Sequence, residues 1–167
     1  MKNMMLPVRN FSMLLLAAAL CFASCDDKNK PTPTPTEQDL NGNAARPTWT
    51  AAENPDMTAS MTAVIAVQQL NGVAIPDSCV GGNDVLAAFS GETCLGIAQY
   101  NEEAHLFFLY IAGPTTNDQG QTTHVTLRYW SAHYTNLFEL KDAFRFANDT
   151  QLGSPAEPYI PAFVKAE

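Results

Sequence analysis

The stretch that decides the fold is DVLAAFSGETCLGIA, residues 84–98. Two apolar runs, 85–89 and 94–98, flank the short turn Ser90-Gly91-Glu92. This pattern is typical of a β-hairpin, because glycine readily adopts the positive φ that tight hairpin turns require. Four small residues of the hairpin would let a second layer approach closely: Ala87, Ala88, Gly96 and Ala98. The stretch therefore predicts the centre of a β-sandwich.

The segments on either side of this hairpin also have the composition of strands. Across 47–167, runs rich in Thr, Val, Tyr and Phe are separated by turn signals about every ten residues, among them Asn71-Gly72. No window of useful length shows helical periodicity. We therefore expect an all-β fold, a single antiparallel β-sandwich of immunoglobulin-like or jelly-roll-like type, after a signal peptide and a disordered linker.

Three later segments allow more specific predictions. Residues 104–111 are apolar on both faces, which predicts a strand in the middle of a sheet. In 122–131 apolar and polar residues alternate, so Val125, Leu127 and Tyr129 should share one face. Residues 137–140 and 143–146 are expected to form a further hairpin around a turn at 141–142.

Residues 1–24 have the composition of a bacterial export signal. A weakly basic start precedes an apolar run over 11–22, which is shorter than the roughly 20 residues needed to cross a bilayer. The run ends in Phe22-Ala23-Ser24-Cys25, which resembles the lipobox of bacterial lipoproteins, with Phe22 replacing the usual leucine. The resemblance implies cleavage before Cys25, a diacylglycerol on its sulfur and an acyl chain such as palmitate on its amine. The alternative is an ordinary secretory signal in which Cys25 is incidental.

Residues 25–46 are expected to be a linker between the lipid and a folded domain over 47–167. The Pro-Thr alternation of 31–36 favours extended polyproline II, and two or more acyl chains anchor a protein stably without a transmembrane helix. Asp26-Asp27 resembles the acidic signal that sends Bacteroidetes-type lipoproteins to the cell surface, although a solvated linker explains it equally well. We therefore expect an outer membrane lipoprotein on the cell surface or the periplasmic face.

The charge balance argues against nucleic acid as a partner. Removal of the signal peptide takes away Lys2 and Arg9 and leaves seven basic against seventeen acidic residues, a net charge of −10. The sequence contains no basic stripe, so binding to a phosphate backbone would lack its main electrostatic contribution.

Two cysteines remain in the predicted folded part, Cys79 and Cys94. An even pair in an oxidising compartment favours a disulfide, and closing a loop of this length contributes about 3 kcal/mol in the chain-entropy estimate. The alternative is two buried free thiols, which would suit Cys94 in an apolar strand. We expect the disulfide.

The order of the segments resembles a domain that recurs in secreted and surface proteins of Bacteroidetes-type bacteria. That domain has a Trp-led start, then M-x-V-x-V-x-x-L-N-G, D-x-L-A-A-F-x-G-x-x-x-G-I-A, F-x-L-Y-I-x-G, V-T-L-R-Y-W and F-x-x-D-x-x-x-G-S-P-x-x-P. The matching positions cover nearly the whole folded part: Trp49, 61–72, 84–98, 107–113, 125–130 and 146–158. The resemblance implies a small β-sandwich of cell-surface proteins and carries over no catalytic residue.

The residues show no arrangement typical of catalysis, and we expect a protein that is not an enzyme. His105, His124 and His133 have no metal-ligand spacing, no Gly-x-Ser-x-Gly motif is present, and no carboxylate pair stands out as a glycosidase centre. Oxygens of Asp and Asn in loops suit calcium, but these residues are also ordinary turn formers and no EF-hand loop occurs. We therefore expect no cofactor and no metal.

An aromatic cluster is the most suggestive candidate for a binding site. Tyr129, Trp130, His133 and Tyr134 lie within a few residues of one another, and sugars stack their C–H faces on exposed Trp or Tyr rings. The alternative is that these large rings are buried, as most are, with Tyr129 in the core, Trp130 over a sheet edge and Tyr134 capping a loop.

Together these features predict a membrane-anchored, extracytoplasmic lipoprotein with a non-catalytic binding or adhesion module, directed at glycan. The alternative is a structural subunit of a cell-surface protein assembly. The expected partners are the membrane, through the lipid anchor, and either a glycan or a surface protein.

Overall fold

The computed structural model describes residues 34–53, 56–114 and 123–166. Within these residues the fold is all-β, with twelve strands in two sheets that form a sandwich and not a closed barrel. The helical segments described are two short 3-10 turns, Glu37–Leu40 and Asp77–Cys79. Neither has the length and apolar character that a membrane span would need. The predicted fold class is confirmed.

The smaller sheet has four strands in the order β11-β1-β7-β6. Its strands are β1 (Ala59–Ile65), β6 (Gln99–Asn101), β7 (Leu106–Gly113) and β11 (Gln151–Leu152). β1 and β7 pair antiparallel along the whole of β1. Since β7 lies between β1 and β6, the prediction that this segment occupies the middle of a sheet is confirmed.

The larger sheet has eight strands. Seven follow the order β3-β2-β12-β9-β8-β4-β5, and β10 pairs with β8. These strands are β2 (Gln69–Leu70), β3 (Val73–Ala74), β4 (Val85–Ser90), β5 (Thr93–Ile97), β8 (His124–Ser131), β9 (Asn136–Leu140), β10 (Phe144–Arg145) and β12 (Phe163–Lys165).

The predicted hairpin of 84–98 is present as β4 and β5, with Gly91 at φ 58° in its turn. The hairpin lies at one edge of the large sheet and not at its centre. After β5 the chain passes through Ala98 into β6, and thus moves from the large sheet to the small one. A Cβ on Gly96 would collide with the backbone carbonyl oxygen of Tyr110 in β7. The expectation that small residues allow a close second layer is therefore confirmed at Gly96.

Two details of the predicted topology are corrected. The sandwich is not purely antiparallel, because β11 runs parallel to β1 and β12 runs parallel to β2. The predicted hairpin around 141–142 is wrong, since β9 and β10 do not pair with each other. Both pair with β8, Asn136 opposite Ser131 and Phe144 opposite Val125. They form one interrupted strand in which 141–142 are the extra residues, as in a bulge.

Aromatic rings from both sheets fill the core. The Tyr129 ring packs against Phe163, with centroids 5.5 Å apart, and edge-on against Phe107 of the small sheet at 6.0 Å. Val125 and Leu127 point into the same core, which confirms the predicted inner face of β8. Ring pairs of this kind stabilise a core beyond the area that they bury.

The compact unit that contains both sheets begins at Thr34. It therefore includes residues 34–46, which were predicted to belong to the linker. Leu40 is fully buried in the core. The N–H of Gly42 donates to the carbonyl of Tyr134 at 3.0 Å. Further along, the Trp49 ring packs edge-on against Phe89, with centroids 5.2 Å apart. This N-terminal segment is therefore part of the fold, and its later part, from Ala44 to Trp49, lies over the outer face of the large sheet.

The predicted disulfide between Cys79 and Cys94 is wrong, because both cysteines are free and buried. Cys79 belongs to the core between the sheets, whereas Cys94 packs with Ala87 and Phe89 under Trp49 on the outer face of the large sheet. A disulfide needs two Cβ atoms about 4 Å apart, and here the sheet separates the side chains. The predicted signal peptide, Cys25 and the first part of the linker lie outside the described residues.

Candidate functional site

The predicted aromatic site does not form an exposed surface. Trp130 is only 7% exposed, and its indole Nε1 donates a hydrogen bond of 3.0 Å to the carbonyl of Ala44. Tyr134 is buried, and its hydroxyl donates to Glu37 Oε1 at 3.1 Å. Burial, and after it Cys79 and Glu37, raises the pKa of Tyr134, so its phenol remains a hydrogen-bond donor.

Tyr129, the third ring of that cluster, is part of a buried polar contact. Its hydroxyl donates to Asp84 Oδ2 at 2.6 Å. The backbone N–H of Gly81 also donates to Oδ2, at 3.0 Å, and that of Ala132 donates to Oδ1 at 2.7 Å. Burial, and next the carboxylate of Asp84, raises the pKa of Tyr129. This carboxylate therefore ties the loop before β4 to the turn after β8.

His133, the fourth predicted residue, is exposed in the turn between β8 and β9. Its ring lies edge-on to Tyr134, with centroids 4.7 Å apart. Of the four residues predicted to bind a ligand, His133 is thus the one that is exposed to solvent. Its neighbours in space include Cys79 and Glu37, and the three side chains bring possible metal ligand atoms within 4.8 Å of one another.

An open groove lies instead on the outer face of the small sheet. Tyr110 is 60% exposed and Phe108 is 39% exposed, and both belong to β7. Their strand partners on β1 are Thr62 and Val64. The cavity above them has a volume of about 490 Å³, which lies within the usual range for small-molecule sites.

Polar groups stand at both edges of this groove. Gln99 of β6 pairs with Phe108 on one side, and Gln151 of β11 pairs with Thr62 on the other. All three polar residues are exposed, and no charged residue lines the groove among those described. The site therefore combines aromatic faces with neutral hydrogen-bonding groups.

These two exposed rings were not predicted from the sequence, although their placement follows from the strand pattern. In β7, Phe107 and Leu109 alternate with Phe108 and Tyr110, and side chains of a strand alternate between its faces. Because all of these residues are apolar or aromatic, both faces were expected to be buried. Tyr110, with its hydroxyl group, and its polar strand partner Thr62 were the available signals of an open face.

No protein-family model matches this chain, and neither a curated protein nor a solved structure shows significant similarity to it. The fold and the groove together define a β-sandwich with an open aromatic groove on one sheet.

Proposed function

We propose that this chain is a non-catalytic binding module directed at glycan, and that the groove around Tyr110 and Phe108 is its binding site. The observation that carries this proposal is the pair of exposed rings flanked by neutral polar side chains. Ring faces suit the C–H faces of sugars, because an aromatic face is apolar and carries partial negative charge.

The polar side chains account for the other half of sugar recognition. The amides of Gln99 and Gln151 and the hydroxyl of Thr62 can both donate and accept hydrogen bonds, as sugar hydroxyls do. A neutral lining favours neutral sugars over anionic ligands. The concave apolar surface with a few polar groups is the usual composition of a small-ligand site.

The resemblance of 22–25 to a lipobox supports a membrane anchor for this module. We propose that Cys25 is lipidated and that the domain works outside the cytoplasm. Labelling of growing cells with palmitate should mark the wild-type protein and not the Cys25→Ala variant. Labelling that persists in Cys25→Ala would contradict the anchor and leave the groove proposal intact.

The binding test is a glycan array with the full chain, followed by calorimetry on the sugars that bind. Tyr110→Ala should abolish saturable binding, and Gln99→Ala should weaken it. Ile160→Ala is the matched control, because Ile160 is an exposed large apolar residue that does not line the groove. Trp130→Phe should also leave sugar binding unchanged, since that ring is covered.

The alternative function is a structural subunit of a cell-surface assembly, and the same binding test distinguishes the two functions. Its simplest route, addition of a strand to a sheet edge, has less support here. The edge strands β3, β6 and β11 have two or three residues each, and short edges offer few free backbone groups. The longer edge β5 is partly covered, because the Ala52 N–H donates to the Cys94 carbonyl. Absence of saturable sugar binding would favour this alternative.

A further inference from the structure

Three side chains from distant parts of the sequence meet at one end of the sandwich. Glu37 belongs to the first 3-10 turn, Cys79 ends the second, and His133 lies in the turn between β8 and β9. One carboxylate oxygen, the thiol sulfur and one imidazole nitrogen lie within 4.8 Å of one another. Cys79 is buried and makes no disulfide, whereas the other two side chains are exposed.

We propose that Glu37, Cys79 and His133 form a zinc-binding site. The chemistry of the three ligand atoms decides which metal ion the site prefers. A thiolate together with an imidazole selects zinc or copper over calcium and magnesium, which prefer oxygen ligands alone. Zinc accepts sulfur, nitrogen and carboxylate oxygen in one tetrahedral shell, with ligand bonds of about 2.0 to 2.3 Å. Ligands arranged around one ion at those distances lie about 3 to 4 Å from one another, so the cluster needs only small side-chain adjustments.

Glu37 and Cys79 are each held by their local backbone. The 3-10 turn that carries Glu37 begins with a capping box between Thr36 and Asp39. The turn that carries Cys79 is closed by the hydrogen bond from the Cys79 N–H to the Pro76 carbonyl, 2.9 Å. Ligands on fixed backbone lose little conformational entropy when a metal binds.

The turn that carries His133 is fixed on both sides. The preceding N–H, of Ala132, donates to Asp84 Oδ1 at 2.7 Å, and the following one, of Tyr134, donates to Ser131 Oγ at 3.3 Å. The Tyr134 hydroxyl then reaches back to Glu37 Oε1. That bond orients the carboxylate, which is the role that outer hydrogen bonds have in metal sites.

The site leaves room for a fourth ligand. A cavity of about 160 Å³ opens beside it, lined by Cys79 and His133 together with Gly81 and Asn83. Zinc sites with three protein ligands keep their fourth position for water or an incoming ligand. A zinc ion at this place would also fix Glu37, and with it the N-terminal segment, to the body of the domain.

This site is separate from the sugar-binding groove, because no residue is shared between their linings. Tyr110→Ala should therefore leave zinc binding unchanged, and loss of zinc should leave the groove lining unchanged. Failure of one proposal does not imply failure of the other.

The test uses the full chain, treated with a chelator and kept reduced. Zinc affinity is measured by competition with a chromophoric chelator, and cobalt(II) serves as a spectroscopic probe. We expect one equivalent of metal and a thiolate-to-cobalt charge-transfer band that is lost in Cys79→Ser and kept in Cys94→Ser. Cys21 and Cys25 are present in every variant, so this difference reports Cys79 alone.

Three further variants keep the test independent of folding. His133→Ala changes an exposed turn residue, so it should fold normally and bind zinc at least about tenfold more weakly, while His124→Ala should bind like the wild type. Tyr134→Phe, which removes the outer hydrogen bond, should weaken binding by about tenfold. Zinc should raise the thermal midpoint of the wild type by more than that of His133→Ala. A cobalt spectrum without the thiolate band, or equal zinc affinity for the wild type and His133→Ala, would overturn the proposal.

Discussion

The two outer faces of the sandwich carry similar rings in different surroundings. On the large sheet, Phe89 and Trp130 are covered, whereas on the small sheet Phe108 and Tyr110 face solvent. Each pair contains one phenylalanine and one ring with a polar atom, so residue type does not distinguish them. The difference is that another segment of the chain lies over the rings of the large sheet and not over Phe108 and Tyr110. It shows that exposure of a strand residue depends on segments far away in the sequence.

The cover of the large sheet consists of specific contacts. Ala44 accepts the indole N–H of Trp130, and Trp49 packs edge-on against Phe89. On the same face the Arg128 guanidinium lies 4.5 Å from the centre of the Phe89 ring and pairs with Glu92 at 3.0 Å. On the outer face of the small sheet Val64 and Leu106 are also buried, but Phe108 and Tyr110 are open to solvent in a groove that Pro155 helps to line.

The largest effect should come from removing a covered ring. Trp130→Ala should lower the free energy of unfolding by about 3 to 5 kcal/mol, because it leaves a cavity and an unpaired Ala44 carbonyl. Denaturant unfolding, monitored by circular dichroism, measures the change as a shift in midpoint. Trp130→Phe, which keeps most of the volume, should lose much less. A change below about 1 kcal/mol in Trp130→Ala would show that the cover is not packed.

The second prediction tests whether the N-terminal segment that leads into the cover belongs to the fold. Leu40→Ala should destabilise the protein by about 2 to 5 kcal/mol, because Leu40 is fully buried. A leucine in a disordered linker would give no effect. Asn43→Ala, an exposed position in the same segment, is the matched control and should change stability by less than about 0.5 kcal/mol. Equal stability of the two variants would restore the linker assignment.

The fold class was predictable from the sequence because it depends on local patterns. The turn at Gly91 and the alternation of Val125, Leu127 and Tyr129 are read within one strand or one hairpin. The boundary of the domain was not predictable in this way. Residues 34–46 are polar and have no periodicity, and the burial of Leu40 depends on its tertiary packing against the core.

The same segment contributes to the burial of the aromatic cluster, for which the alternative of buried rings, and not an exposed surface, agrees with the structure. Trp130 is covered by Ala44, and Tyr134 bonds to Glu37, and both partners lie in the segment assigned to the linker. The disulfide prediction was wrong for a related reason, since it rested on the number and spacing of cysteines and not on the sheet face that each one occupies.

The third prediction concerns a close approach of the two sheets, at Gly96 of β5 and Tyr110 of β7. Gly96→Ala should destabilise the protein by about 1 to 3 kcal/mol, because the new Cβ would collide with the Tyr110 backbone. Gly81→Ala is the control, since no atom lies within 4 Å of its Cβ position, and it should be nearly neutral. Because this contact lies beneath the groove, calorimetry on Gly96→Ala should also show weaker sugar binding. A neutral Gly96→Ala would mean that the sheets can separate there.

The fourth prediction concerns Tyr129, whose ring is buried in the core between the two sheets. The pKa of Tyr129 is raised above its ordinary value of about 10, so the folded state keeps its proton where the unfolded chain loses it. The stabilisation that follows from the raised pKa of Tyr129 is therefore fully present below pH 10. As the pH rises above 10, the free energy of unfolding declines by about 1.4 kcal/mol per pH unit. Tyr129→Phe should be less stable at neutral pH and show a smaller decline between pH 10 and 11, measured by denaturant unfolding. An identical decline in both proteins would assign the alkaline loss to other groups.

The smallest effect on stability should come from the open face. Tyr110→Ala removes a ring that is 60% exposed, so the free energy of unfolding should change by about 0.5 kcal/mol or less. The same type of change at Trp130 should be several times larger, and the ratio of the two measures what the cover contributes. If Tyr110→Ala instead destabilises by several kcal/mol, a further part of the chain must cover that face, and the groove would be closed to a ligand. A small stability change together with loss of sugar binding is the result that separates a functional ring from a structural one.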